Sequence, residues 1–150
     1  MNNFSMRFSN DYRDFCKVHD ELYSYNLSLT GHKRVDVQAE KFPDQGAIIV
    51  ENQDGEFVGG LVFHPIEDNA IFVDYFFTSS ACRGCGIGGK VLQKLEEFAR
   101  NQKKTLIKLT TNSFQAPGFY QKMGFVITEE KPSPAPACPD NIHYYLQKEI

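Results

Sequence analysis

No stretch of the 150-residue chain approaches the ~18 consecutive apolar residues of a membrane-spanning helix. Residues 1–10 contain no apolar run of the kind that forms the centre of a secretory leader. The expected location is therefore cytoplasmic, with no membrane partner. The formal net charge is only −3, and the 16 Lys and Arg residues form no stripe; the electrostatic footprint of a nucleic-acid partner is missing. Cysteines number four (16, 82, 85 and 138) and histidines four (19, 32, 64 and 143). Cys82-x-x-Cys85 has the spacing of half a zinc site, but no second half follows and no His-x₃₋₅-His pair exists, so no metal is expected. Internal repeats and low-complexity tracts are also absent. At 41% hydrophobic and 23% charged residues the composition is that of one folded domain spanning 1–150.

The periodicities that are present define the elements. Phe4 to Phe8 alternates as a strand, and Ser9-Asn10-Asp11 supplies capping groups for a helix from Tyr12, with Phe15, Val18, Leu22 and Tyr23 on one face. The pattern weakens from Tyr25 to Pro43, which predicts a short second helix or a loop. Ala47–Glu51 and Phe57–Phe63 flank Asp54-Gly55 as a hairpin, with Gly59-Gly60 marking a bulge or a close backbone approach and His64-Pro65 closing the strand. Ala70–Thr78 is apolar on both faces, as a central strand is. Asp74 is its exception, and strand alternation places it on one face with Phe72 and Phe76. A helix follows with Ile87, Val91, Leu92, Leu95, Phe98 and Ala99 inward and a Glu96–Arg100 pair on the opposite face. Leu106–Leu109 is the next strand, 112–124 a loop and short helix stopped by Gly124, and Phe125–Glu129 and His143–Gln147 the last strands. Between these two, residues 131–141 hold four of the seven prolines and read as a loop.

A glycine-rich turn joins the central strand to the helix: Arg83-Gly84-Cys85-Gly86-Ile87-Gly88-Gly89-Lys90. A helix start offers unpaired N–H groups and the positive end of the helix dipole, so anions bind there. Three phosphate-binding patterns overlap in these letters. The dinucleotide pattern G-x-G-x-x-G needs an acidic residue about 20 positions on, where this chain has Thr110-Thr111-Asn112. The mononucleotide loop G-x-x-x-x-G-K needs Ser or Thr next, for Mg²⁺, and position 91 is Val. Arg83, Gly86 and Gly88 satisfy the third, [RQ]-x-x-G-x-G, in full.

That pattern resembles the pyrophosphate-binding motif of the GNAT superfamily of acetyl-CoA-dependent N-acetyltransferases. A second segment, Ala116-Pro117-Gly118-Phe119-Tyr120-Gln121-Lys122-Met123-Gly124-Phe125, is similar to that family's A-x-x-[LF]-Y-x-K-x-G-F at the family's distance from the loop. The resemblance implies an α+β fold: a mixed, mostly antiparallel sheet with helices on both faces, in which one parallel strand pair splays apart to admit the pantetheine arm of CoA beside Phe77 and Thr78. It further implies acetyl transfer to a primary amine by direct attack within a ternary complex.

On that reading Phe77, Thr78, Arg83, Gly84, Cys85, Gly86, Ile87, Gly88, Gly89 and Lys90 hold the cofactor. Ser113 stands where the family often has Asn and, with Phe114, is the expected polar and apolar contact to CoA downstream. Tyr120 matches the general acid. Asp74 is the candidate general base, since a carboxylate among aromatics is raised in pKa unless satisfied; an aspartate held by backbone N–H groups is the structural alternative. Tyr25, Asn26 and His32 fall where the family places its acceptor. A non-catalytic acyl-CoA-binding module on the same fold remains the second functional reading, and family habit suggests a homodimer.

Overall fold

The computed structural model describes residues 3–32, 37–115 and 117–150. Seven strands form one sheet: β1 (Ser5–Ser9), β2 (Gly46–Glu51), β3 (Phe57–Ile66), β4 (Ala70–Thr78), β5 (Leu106–Asn112), β6 (Val126–Pro132) and β7 (Ile142–Glu149). Their order across the sheet is β1-β2-β3-β4-β5-β7-β6, antiparallel throughout except for β4 with β5. The parallel pair brackets helix α2 (Ile87–Asn101), as a crossover connection requires.

Helix α1 (Tyr12–Thr30) lies on one sheet face, over a core of Phe15, Val18, Ala47, Ile49 and Val62. Helix α2 lies on the other, where Val91, Leu92, Leu95 and Ala99 meet Ile48, Leu61, Ile71 and Ile107. Asp11 caps α1 by accepting from the Arg13 N–H at 2.9 Å, and Gly31 ends it in the left-handed region at φ 71°. The helix thus runs through Tyr25 and Asn26. Of the stretch expected to form a short second helix or a loop, residues 33–36 lie outside the described residues, and 37–43 is irregular chain.

Gly59 and Gly60 mark a close approach. A Cβ on Gly60 would stand 2.8 Å from Val18 Cγ2 and 3.0 Å from the Ile48 carbonyl, so α1 reaches the sheet only because no side chain intervenes. Gly60→Val is therefore expected to destabilise the fold by about 1–3 kcal/mol, read as a fall of several degrees in the thermal unfolding midpoint.

Three sequence expectations are corrected. β3 continues through His64 and Pro65 to Ile66 instead of closing there. Glu96 is not on the outer face: it is buried, with Lys148 Nζ of β7 at 2.8 Å and Arg100 Nη2 at 3.6 Å. Finally, Phe76 does not share a face with Asp74. Val62 pairs with Tyr75 and Phe63 with Val73, leaving Asp74 as the extra residue of a β-bulge. The bulge flips the alternation, so Phe76 packs with the α2-side core while Tyr75 and Phe77 pack with the α1-side core.

Candidate active site

β4 and β5 pair only from Ala70–Phe72 to Leu106–Lys108. Beyond Phe72 the strands diverge: β4 carries the bulge at Asp74, while β5 stays paired with β7 along its whole length from Leu106 to Asn112. The gap opens into a cavity of about 560 Å³. Its walls are Val73 to Thr78 of β4, Leu109 to Thr111 of β5, Leu22 and Tyr25 of α1, the glycine turn, and Phe114, Gln115, Phe119 and Tyr120.

At the mouth, a short 3₁₀ turn (Ser80–Cys82) leads into the glycine segment. Gly84 and Gly86 take φ of +82° and +75°, and no atom lies within 4 Å of where their Cβ would be. They serve backbone conformation. Gly88 and Gly89 serve packing: a Cβ on Gly88 would meet Phe119 Cζ at 3.0 Å, and one on Gly89 would meet Met123 Cε at 3.4 Å. The start of α2 thus faces the cavity with its first-turn N–H groups free of intrahelical partners. The Arg83 guanidinium donates to the Thr78 carbonyl at 3.3 Å and lies 5.0 Å from the Tyr25 ring centroid. Cys85 and Lys90 are exposed and stand outside the cavity wall. Cys82 is buried, with its Sγ 3.5 Å from the Val58 carbonyl. Among the described residues, no three His, Cys, Asp or Glu side chains converge as a metal site would.

Asp74 stands where the strands begin to part. Its carboxylate meets His64 Nδ1 of β3 at 2.8 Å (Oδ1) and 2.9 Å (Oδ2), and Gln45 Nε2 donates to Oδ2 at 3.4 Å. Burial raises its pKa above the usual carboxylate value, and the His64 and Gln45 hydrogen bonds act against that rise. Its partners are thus side chains, not the backbone N–H groups of the structural alternative.

Tyr120, on α3 (Gly118–Lys122), lines the same cavity. Phe119, Phe125 and Phe76 surround its ring at centroid distances of 5.2, 5.9 and 6.3 Å, all near edge-on. Burial pushes the phenol well above its ordinary value, so it stays protonated at neutral pH. The hydroxyl makes no hydrogen bond to any described residue. Ala116, the first letter of the tyrosine segment, lies outside the described residues.

The remaining candidates divide. Tyr25 and Phe114 line the cavity. Ser113 does not: its hydroxyl donates to Asn141 Oδ1 at 2.9 Å and accepts from the Ile142 N–H at 3.0 Å, tying β5 to β7. Asn26 and His32 line a second, smaller cavity of about 240 Å³ between α1 and residues 133–135 and 141. Asn26 also accepts from Gln115 Nε2 at 2.8 Å, and Gln115 accepts from the Asn112 N–H at 3.0 Å. Gln115 lines the larger cavity and Asn26 the smaller, so that amide bridge links their walls. Sequence reasoning missed Gln115, Gln45 and above all His64; the one available signal for His64 was the short 67–69 connection, which sets it opposite Phe72.

A model of the acetyltransferase (GNAT) family matches residues 12–125. Blasticidin-S acetyltransferase of Streptomyces morookaense is 32% identical over 97 residues, which is 64% of this chain and 68% of that protein. An acetyltransferase of Agrobacterium fabrum is 31% identical over 108 residues, 72% of each chain. Among solved structures, a GNAT family acetyltransferase from Elizabethkingia anophelis with acetyl-CoA bound superposes with a TM-score of 0.67 over 99% of both chains, at 17% identity. At that identity the likeness is one of fold.

Proposed function

The chain belongs to the GNAT acetyltransferase family, whose members transfer acetyl from acetyl-CoA, and from that premise we propose that it acetylates a primary amine of a small molecule, with Asp74 as general base and Tyr120 as general acid. The observation that carries this reading is the cavity itself. Asp74, raised in pKa, and Tyr120, which holds its proton, are both lining residues of one cavity, with the free N–H groups of α2 and Arg83 at its mouth.

The cofactor's pyrophosphate would sit on the first turn of α2 beside Arg83, whose bond to Thr78 and contact with Tyr25 it would replace. The pantetheine arm would run along the unpaired side of β4. An amine with pKa about 10.4 arrives as an ammonium and must first lose a proton. Asp74 takes that proton; the nitrogen then attacks the thioester carbonyl, and a β4 backbone N–H holds the oxyanion. As the adduct collapses, the C–S bond breaks, the thiolate takes the Tyr120 proton, and the second nitrogen proton leaves to water. Amide and free thiol are formed, and one proton is released net once Tyr120 and Asp74 are restored. The relative named for acetylating blasticidin S favours a small-molecule acceptor over a protein.

Calorimetric titration with acetyl-CoA tests the first half. Saturable binding is expected, weakened about tenfold in Arg83→Ala, the loss of one charge-assisted contact; equal affinity in the variant would remove Arg83 from the cofactor site. Thiol release with blasticidin S, spermidine and a lysine peptide tests the second half. Tight acetyl-CoA binding without thiol release on any primary amine would contradict transfer to nitrogen.

A further inference from the structure

His64 sits at an unusual place for a histidine, almost fully enclosed within the α1-side layer of the sheet. Its side chain is 9% exposed, against 5% for Asp74. Phe42 stacks flat on the ring at 3.9 Å with planes 7° apart, and Phe72 packs at 5.9 Å on another side. The chain that brings Phe42 there is fastened down. The Tyr12 hydroxyl donates to the Ala39 carbonyl, the Glu40 N–H donates to the Tyr75 hydroxyl at 3.1 Å, and Gln45 Oε1 accepts from the Phe42 N–H at 3.3 Å while its amide reaches Asp74. Phe42 covers one face of the imidazole and Asp74 engages its Nδ1, so little of the ring is left to solvent. A carboxylate accepts only, so the Nδ1 facing it is the N–H of the ring.

We propose that His64 is a positioning residue for proton removal: its Nδ1–H, fixed by the Phe42 stack, orients the Asp74 carboxylate toward the cavity and keeps it ionised. The inference rests on the reading of Asp74 as general base and adds to it the group that makes a buried aspartate usable as one. The bulge supplies the geometry. It sets Asp74 out of register with β3, so His64, two places from Val62 on the same face, reaches the carboxylate sideways.

Few other charges bear on the pair. Glu40, on the segment laid over the sheet, opposes ionisation of Asp74. Tyr75 of β4 is itself pushed up to about 12, chiefly by burial, and carries no charge at neutral pH. From α1, His19 packs edge-on against Tyr75 at 5.0 Å, and Tyr23 stacks on His19. On β5, Lys108 pairs in register with Phe72, but its ammonium lies 3.5 Å from Glu67. His64 is thus the donor that opposes the burial of Asp74 most strongly.

The test is the titration of the Asp74 carboxyl carbon by NMR, in protein labelled at the aspartate Cγ and assigned by its loss in Asp74→Asn. In His64→Leu the midpoint is expected to rise by about one pH unit. In His64→Asn, whose amide offers an N–H near the Nδ1 position, it returns to the wild-type value. A midpoint unmoved in His64→Leu, or raised equally in both variants, overturns the proposal. Wild-type protein gives a check independent of whether His64→Leu folds: the His64 ring nitrogens must show an inflection at the Asp74 midpoint that vanishes in Asp74→Asn, and its absence also overturns the proposal. None of these measurements needs an acceptor. Normal turnover in Asp74→Asn would defeat the general-base reading while leaving the coupling of the two side chains intact.

Discussion

Tyr120→Phe is expected to lower turnover by about a hundredfold, the low end of what a positioned acid contributes, while acetyl-CoA affinity stays within about twofold. The separation follows from what the side chain touches. The ring is fixed by Phe119, Phe125 and Phe76, and those edge contacts survive when only the hydroxyl is removed. The hydroxyl bonds to no described residue, so its loss strands no protein donor or acceptor, and the unfolding midpoint should not fall. What is lost is the phenolic proton, present at neutral pH even at the ordinary tyrosine value and held more tightly by burial, that the leaving thiolate would take as its charge forms. Steady-state turnover and calorimetry on the same preparation check both halves. A full rate would take Tyr120 out of the mechanism, and a large loss of affinity would recast it as a binding residue.

What could be read from the sequence is what depends on neighbours in the chain. The strand, glycine turn and helix from Ala70 to Arg100 follow from short-range periodicity, and so does the need for an unobstructed helix start. Asp74 stood out because a carboxylate breaks an apolar run. The stop at Gly31 was also present in the letters, as a glycine able to take φ > 0, yet the fading apolar pattern after Tyr25 obscured it.

What could not be read depends on register and on contacts between distant residues. A single extra residue at Asp74 reverses which side chains of β4 face α1, and nothing local to Val73-Asp74-Tyr75 announces it. The burial of Glu96 is set by Lys148, far along the chain on β7. Ser113 reads as a cofactor contact by position, but Asn141 arrives from the proline-rich loop to claim its hydroxyl. His64 was hard to read for the same reason: beyond the short 67–69 connection, its meaning comes from Asp74 and Phe42, each on a different segment.

Asp74→Asn carries the other large effect, a loss of turnover of about a hundredfold or more, and its sign can be worked out on stability as well. Burial raises the folded-state pKa of Asp74 above its unfolded value near 3.8. The folded state therefore binds the proton more tightly than the unfolded chain does, and the contribution of this group to stability declines as pH rises from about 4 through its folded pKa. Above that window the buried charge is a net burden, offset in part by His64 and Gln45. Asparagine removes the burden, and His64 can keep a bond by presenting its other tautomer, with Nδ1 accepting from the new amide. At pH 7 the variant should thus unfold at the same temperature as the wild-type protein or higher, even as turnover collapses. Catalysis runs the opposite way in pH: the carboxylate accepts protons only above its folded pKa, so wild-type turnover should fall on the acid side through the same window in which the fold gains stability. Thermal unfolding and turnover followed across pH 4 to 8 decide the matter. Parallel losses of activity and stability in Asp74→Asn would mean that Asp74 holds the bulge together, and the base would have to be sought elsewhere in the cavity.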